Sequence, residues 1–448
     1  MSNEKNVARG TYSAAVCLLC IFFSCMLYSP AVGDDTVARR VSFREYLEAV
    51  DRHSLDLKNQ RENITSARAG VSIAGVRPDP VLTGGIASTE LYGPNKENAS
   101  TATTLGVAVT VETAGKRGKR INAAESNVKL TEANVGVFLR ELETQAAAAF
   151  VEACRTRQAL ARKQSSLKAF QEVVRANKAR FTAGDIGMLE LRQSRVEADR
   201  FAADVTTATA DAKAAEINLS ALLGRRFDEV FPDGVLDCEL KRERLGLELP
   251  DLIQQALEKR VDIRAAKAGV ESARSDLRLA RANRWVDPTI NTGLTNTPKV
   301  PPIYDANGNV TNFPADRSLA LGVTVSIPIP FSRLQRGELV QAETAVRQAN
   351  LQLSSVTLKA ETEVRATYTQ YRAASVNAQN YLDRVLKEAD EVLAGMRTSY
   401  RLGSASLLEL LNAQRTADDV YLGYLQTLSD LANATVKLQV SVGMRPDL

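Results

Sequence analysis

The chain has 448 residues, of which 44% are hydrophobic and only 5% aromatic, and 57 Lys+Arg nearly balance 53 Asp+Glu for a formal net charge of +4. A single histidine, His53, leaves little means of building a histidine-based nucleophilic triad or a multi-histidine metal site, and the balanced charge argues against a nucleic-acid binder. Past residue 33 no apolar run reaches the roughly 18 residues that a membrane helix needs, so any membrane crossing has to use strands.

The amino terminus reads as an export address. Lys5 and Arg9 precede an apolar stretch at 14–28, and Ala31-Val32-Gly33 offers the small residues at which a signal peptidase cuts, so residues 1–33 are predicted to be removed. An uncleaved membrane anchor and lipidation at Cys25, which follows Ser24, are the alternatives. Removal also takes Cys17 and Cys20. Cys154, in a helical pattern, and Cys238, in a linker, remain and are predicted to stay free thiols.

A first structural unit is expected at 34–224. After an opening helix, Asp79-Pro80 marks a strand start, and strands are predicted at 81–91 and 103–112. In the second of these Leu105, Val107, Val109 and Val111 alternate with Thr104, Gly106, Ala108 and Thr110. Tyr92-Gly93-Pro94-Asn95 reads as the loop between them. The cluster that follows, Glu112-Thr113-Ala114-Gly115-Lys116-Arg117-Gly118-Lys119-Arg120, lacks the glycine spacing and the Lys-Ser/Thr ending of a phosphate-binding loop. Its place at a strand end makes Lys116, Arg117, Lys119 and Arg120 candidate anchors beside lipid headgroups, with a solvated helix start as the plainer alternative.

No proline occurs from 117 to 180, so one helix of about 64 residues and roughly 95 Å is predicted there. Leu139, Leu142, Ala146, Ala149, Ala153, Leu160, Leu167, Phe170 and Val174 form its heptad seam, interrupted by Thr156 and Lys163. Gly184 is the expected reversal, using glycine's access to positive φ, and a second long helix is expected at 188–222.

A polar, proline-containing linker at 225–250 leads to a second unit at 251–448, again opening on a helix. Strands are predicted at 289–296 and 318–327. In the latter Leu319, Leu321, Val323, Val325 and Ile327 alternate with Ser318, Ala320, Gly322, Thr324 and Ser326. About ten residues of this alternation suit a membrane barrel strand, with a soluble half-buried hairpin as the alternative. The stretch 298–314 reads as an external loop, and Pro328 as a strand boundary.

Long helices follow at 336–399 and 407–441, with Gly403 between them. The first has two adjacent apolar stripes: Ala378, Tyr381, Val385 and Val392, and beside them Leu382, Leu386, Ala389, Leu393, Met396 and Tyr400. Two stripes suit a helix packed on both sides, as in the wall of a helical tube or in a three-helix bundle. The second helix shows one seam, Tyr421, Tyr424, Leu428, Leu431, Thr435, Leu438 and Val442.

The two units repeat each other at a spacing near 219: Phe181-Thr182-Ala183-Gly184 returns as Tyr400-Arg401-Leu402-Gly403, Leu189-Glu190-Leu191 as Leu408-Glu409-Leu410, and Asp79-Pro80, at a shorter offset, as Asp287-Pro288. Each unit supplies two strands. Four strands cannot close a barrel, and an open edge in lipid leaves backbone hydrogen bonds unmade, so a membrane form has to oligomerise. Two, three or four copies give eight, twelve or sixteen strands, and the pattern does not choose among them.

In its duplication, its Asp-Pro strand starts, its glycine-containing tips and its terminal Leu219–Gly224 and Leu438–Gly443 elements, the mature chain resembles the TolC-like outer-membrane efflux proteins. That resemblance implies a mainly α fold with a transmembrane β part: a trimer whose twelve-stranded barrel continues as a long periplasmic helical barrel. The Glu112–Arg120 segment is similar to the Glu-x-x-Gly-Lys-Arg-x-x-Arg stretch of the heavy-metal branch, the exporters of cobalt, zinc, cadmium and nickel.

The resemblance also implies a site. Acidic residues just beyond the tips narrow the periplasmic entrance in this family, so Glu409 is expected to form a carboxylate ring and Glu190 to hydrogen-bond Tyr400. Asn412 stands where relatives have a second acidic residue and Ala405 where they have a basic locking residue, which weakens both features here. A carboxylate ring admits cations and discourages anions. The plainer alternative is that both glutamates only favour their helix N-termini.

Five methionines and one histidine argue against a line of soft metal ligands, and no cofactor, resident metal or catalytic constellation is expected. The sequence thus reads as a passive outer-membrane duct for divalent heavy-metal cations. Its partners are expected to be outer-membrane lipid, a periplasmic adaptor and a proton-driven inner-membrane pump of the resistance-nodulation-division type, with no nucleic acid. A duct for drugs or secreted proteins and a soluble coiled-coil scaffold are the rival readings.

Overall fold

The structure is a computed structural model that describes residues 39–88, 101–239, 246, 248–311, 314–329 and 336–448. The expected signal segment, Cys25 and the 92–95 loop lie outside the described residues. In chain order the elements are β1 (Arg40–Val41), α1 (Phe43–His53), α2 (Leu55–Ala74), β2 (Val81–Ser88), β3 (Thr101–Thr110), α3 (Lys116–Ala183), α4 (Met188–Leu223), α5 (Phe227–Val230) and β4 (Val235–Leu236). The second half continues with α6 (Leu249–Lys259), α7 (Val261–Asn283), β5 (Thr289–Thr297), β6 (Ser318–Ser326), α8 (Gly337–Asn380), a π-helical turn (Tyr381–Val385), α9 (Leu386–Arg401) and α10 (Leu407–Ser441).

Each half opens on two helices where the sequence suggested one. Ser54 (ψ 124°) and Arg260 (ψ 130°) leave the helical region, so α1 and α2, and likewise α6 and α7, meet at a break. Ser42 and Glu45 form a capping box at the start of α1, whose face of Phe43, Tyr46, Leu47 and Val50 is buried at helical spacing.

The four long strands form one antiparallel sheet in the order β2-β3-β5-β6, so the two halves meet at β3 and β5. Register puts Leu82, Val107, Thr292 and Val323 in one row and Gly84, Leu105, Leu294 and Leu321 in the next on the same face. The opposite face carries Val81, Ala108, Asn291 and Thr324, then Thr83, Gly106, Gly293 and Gly322. Successive side chains alternate between faces, so the period-two sequence becomes one apolar and one mostly small, polar face. At Gly106 a Cβ would stand 2.9 Å from the Thr292 carbonyl oxygen, so the backbone there is too close for any side chain. Among the described residues nothing pairs with the outer edges of β2 and β6, and Leu82, Ile86, Leu319 and Leu321 are exposed. Beyond β5 and β6 the loop continues as a narrow ribbon, bridged at Val300–Ala315 and Tyr304–Val310.

At 1.5 Å per residue the 68-residue α3 is about 100 Å long. Gly184 (φ +86°) and Gly403 (φ +75°) turn the chain in the left-handed region, and α4 and α10 return along α3 and α9. Three apolar clusters lie along this bundle. One gathers α1, the middle of α3 and the end of α4 around Tyr46, Phe150 and Leu219; a second joins α6, α8 and α10 at Leu252, Val364 and Leu438; the third, near the tips, holds Phe170, Phe201, Tyr400 and Leu410.

The expected free thiols are a disulfide: Cys154 and Cys238 are bonded, with their Cα atoms 5.3 Å apart. The linker is not a plain tether. It contains α5 and β4, and β4 pairs in parallel with β1, which leads straight into α1. Because Phe43 of α1 packs edge-on against Phe150 of α3, that pairing delivers Cys238 to the flank of α3. The pairing is invisible in sequence because 84 residues separate the two cysteines. Of the double stripe, Leu393 and Tyr400 are buried within the single chain while Val392 is 58% exposed.

Candidate functional site

At the tips, Glu190 sits in the first turn of α4 and Tyr400 in the last turn of α9. The Tyr400 hydroxyl is 3.1 Å from a Glu190 carboxylate oxygen and 2.7 Å from the Asn177 side-chain oxygen of α3. Burial raises the Tyr400 pKa, and the Glu190 carboxylate raises it further, so the hydroxyl remains a donor. Arg180 lies over the Tyr400 ring, 5.7 Å from its centroid. The second half of the chain is thereby tied to the first at its far end. The repeat is asymmetric here, because Phe181 stands where Tyr400 would repeat and has no hydroxyl.

Glu409 has a different local role. Its Oε2 accepts from the Ser406 backbone N–H at 2.7 Å and from the Ser406 hydroxyl at 2.9 Å, which completes a capping box at the start of α10. These bonds hold its carboxyl below the ordinary glutamate value. Glu409 and Asn412 are both exposed, one turn apart on α10.

Above the tips lies a polar network that the sequence reading missed. Asp418 of α10 accepts from Arg162 Nε (2.8 Å) and Ser166 (2.8 Å) of α3 and from Gln414 (3.0 Å), and the Gln414 amide oxygen accepts from Arg397 of α9 at 2.8 Å. A groove of about 460 Å³ runs beside it, lined by Phe170, Asn177, Arg180, Arg397, Tyr400 and Gln414. The available signal was polar residues on an apolar seam. Thr156, Lys163, Phe170 and Asn177 follow one another in steps of seven, and Asn177 is fully buried.

Of the four basic residues, only Lys116 is buried. Lys116, expected as a headgroup anchor, is only 5% exposed; its Nζ donates at 2.6 Å to both Asp287 and the Trp285 carbonyl, so it cannot serve as an anchor. Arg117 donates to the Gly75 carbonyl, and Arg120 to the carbonyls of Ala74 and Val76 and to Glu112. Lys119 bonds the Ala114 carbonyl. The two guanidiniums thus take up the unpaired carbonyls at the end of α2, where the helix dipole favours cations. The segment is a junction where β3, α2, α3 and the approach to β5 are stitched together.

These features define a class: a duplicated chain whose long helical hairpins continue from a half-length sheet with one apolar face. The profile described as outer membrane efflux protein matches residues 47–225 and 252–444, and the chain belongs to that family. It is therefore an outer-membrane efflux protein and not an enzyme. Among curated relatives it is 22% identical over 393 residues, 87% of each chain, to the cobalt-zinc-cadmium resistance protein CzcC of Cupriavidus metallidurans (strain ATCC 43123 / DSM 2839 / NBRC 102507 / CH34). Among solved structures it is similar to the outer-membrane channel OprN, with a TM-score of 0.71 at 19% identity covering 90% of this chain and 89% of that one. The channel protein CusC gives 0.69 at 18% identity, covering 90% and 92%. Both likenesses show the TolC-like fold. No described helix is long and apolar enough to cross a membrane.

Proposed function

We propose that three copies of this chain form the outer-membrane exit duct of a tripartite, proton-driven efflux system, and that its cargo is divalent heavy-metal cations. The cargo reading is carried by one observation, the similarity to CzcC along nearly the whole chain, and the Gly-Lys-Arg junction agrees with it. Three copies of a four-stranded sheet make twelve strands, which pairs the open edges of β2 and β6 and presents the apolar rows to lipid. A periplasmic adaptor and a resistance-nodulation-division pump in the inner membrane then supply contact and energy. In the closed duct, Glu190, Tyr400 and Asn177 hold each tip, and Glu409 and Asn412 face the entrance. Selection of the ion falls to the pump.

The test is growth of a strain lacking this gene across graded nickel, cobalt, zinc and cadmium, with drugs and detergents in parallel. Selective metal sensitivity, restored by the gene, is the expected result. Sensitivity to drugs alone would keep the duct and overturn the cargo.

A further inference from the structure

The long helix of the second half is interrupted where its counterpart in the first half is continuous. On α8 the residues Val364, Tyr371 and Ala378 are buried in steps of seven. The next buried positions, Leu393 and Tyr400, are again seven apart, but Leu393 is 15 residues beyond Ala378 and not 14. The π-helical turn Tyr381–Val385 absorbs that extra residue. The repeat offset records it too: the inward residues Ala360, Val364 and Tyr371 match Leu142, Ala146 and Ala153 at 218, whereas Tyr400 and Gly403 match Phe181 and Gly184 at 219.

The two apolar stripes coincide with the two phases on either side of the turn. Val385 and Val392 continue the upper buried column, while Leu386 and Leu393 begin the lower one. Only the lower is in use here, with Val392 58% exposed and Leu393 4%. No residue from 379 to 392 is buried, whereas the continuous α3 buries Ser166 and Phe170 over its corresponding stretch. Opposite the turn, α10 carries Gly423, where a Cβ would stand 3.2 Å from the Tyr381 hydroxyl oxygen. The turn thus sits in a lightly packed segment against a residue that offers no side chain to lock it.

We propose that this turn is a movable register device for opening the tip. As the π turn migrates toward Gly403, α9 rotates by one residue, about 100°. Val385, Val392 and Ser399 then take the places of Leu386, Leu393 and Tyr400. Tyr400 leaves Asn177 and Glu190, and the second hairpin is released from the first. Packed interfaces favour two discrete arrangements over continuous deformation, and the sequence supplies an apolar column for each. The device rests on the reading of the tips as the entrance of a duct.

Two measurements test it. Val392→Glu places a carboxylate at a position exposed in this state and buried in the other. It is expected to leave the trimer and the resting conductance unchanged while cutting efflux-dependent protection about tenfold, with Val392→Ala near wild type. Wild-type protection by an assembled Val392→Glu trimer overturns the proposal. Independently, amide hydrogen exchange on the wild-type protein in detergent should run about tenfold faster over 379–392 than over 160–174 of α3. Equal protection of the two stretches overturns it, and this arm decides if Val392→Glu fails to assemble. If the wild-type gene itself protects against nothing, the duct reading fails while the exchange measurement still judges the turn.

Discussion

Glu409 has two possible roles, and its geometry allows them to be separated. Its carboxylate caps α10 through Ser406, and the same charge faces the proposed entrance. Because the folded pKa lies below the ordinary 4.5, the cap contributes fully above that value and is lost as pH falls through the lower folded one. Glu409→Gln keeps an oxygen acceptor for Ser406 but removes the charge. It is expected to raise single-channel conductance and lower cation preference with only a small fall in melting temperature, whereas Glu409→Ala should lower the melting temperature further. Unchanged conductance in the Gln variant would assign this residue to capping alone. Arg445 poses a similar question near the carboxyl terminus, where it pairs with Asp51 and, at 2.8 Å, with Glu143. Burial raises both carboxyl pKa values against the pull of Arg445, so the native state holds these protons more tightly than the unfolded chain does. Arg445→Ala should cost about 1–3 kcal/mol at neutral pH. That loss should shrink on acidification, as the two carboxylates take up protons; a pH-independent loss in thermal melts would refute the charge argument.

Among the elements, the junction at the start of α3 holds one of the ion pairs that join the two halves. Asp287 precedes β5, and Lys116 opens α3. Asp287→Ala strands a buried ammonium and is expected to cost about 3 kcal/mol, with Asp287→Asn intermediate. Equal melting of Asp287→Ala and wild type would show the pair to be dispensable. The Cys154–Cys238 bond closes a span of 84 residues, and replacing both cysteines by serine should remove about 2–4 kcal/mol, read as a lower denaturation midpoint. These two features also mark the limit of what the sequence disclosed. Period-two and heptad patterns are local, so four strands and the long hairpins were legible from Leu105, Val323 and their neighbours. Lys116 was misread as an anchor because its partner lies 171 residues away, and the disulfide was missed because the parallel pairing of β1 and β4 leaves no periodic trace. The bond between Tyr400 and Glu190 was legible only through the resemblance to the TolC-like proteins, whereas Asn177, which continues the α3 seam in steps of seven, was masked by the assumption that a seam is apolar. The double stripe was visible as a pattern, but a phase slip and a two-sided helix produce the same pattern.

For the whole molecule, the decisive feature is a sheet that is unfinished in one chain. Its apolar rows are exposed, and β2 and β6 each keep one edge unpaired among the described residues. Such a surface is an aggregation hazard in water, and it is stable only where lipid covers the face and a neighbouring copy covers the edges. Register makes this testable at adjacent residues. Val323 lies in the apolar row with Leu82 and Val107, whereas Thr324 lies in the opposite row with Ala108 and Asn291. An arginine on the lipid side of a membrane strand costs about 2–4 kcal/mol near the midplane, while one facing the water-filled interior costs far less. In a closed trimer the penalty at position 323 is incurred three times, and all three must be met for the barrel to close. Val323→Arg is therefore expected to abolish recovery of trimer from the outer-membrane fraction, and Thr324→Arg to assemble and alter only ion preference. The reverse result would turn the sheet inside out, with its small, polar face toward lipid, and a normal yield from both variants would mean that the sheet is not in the membrane.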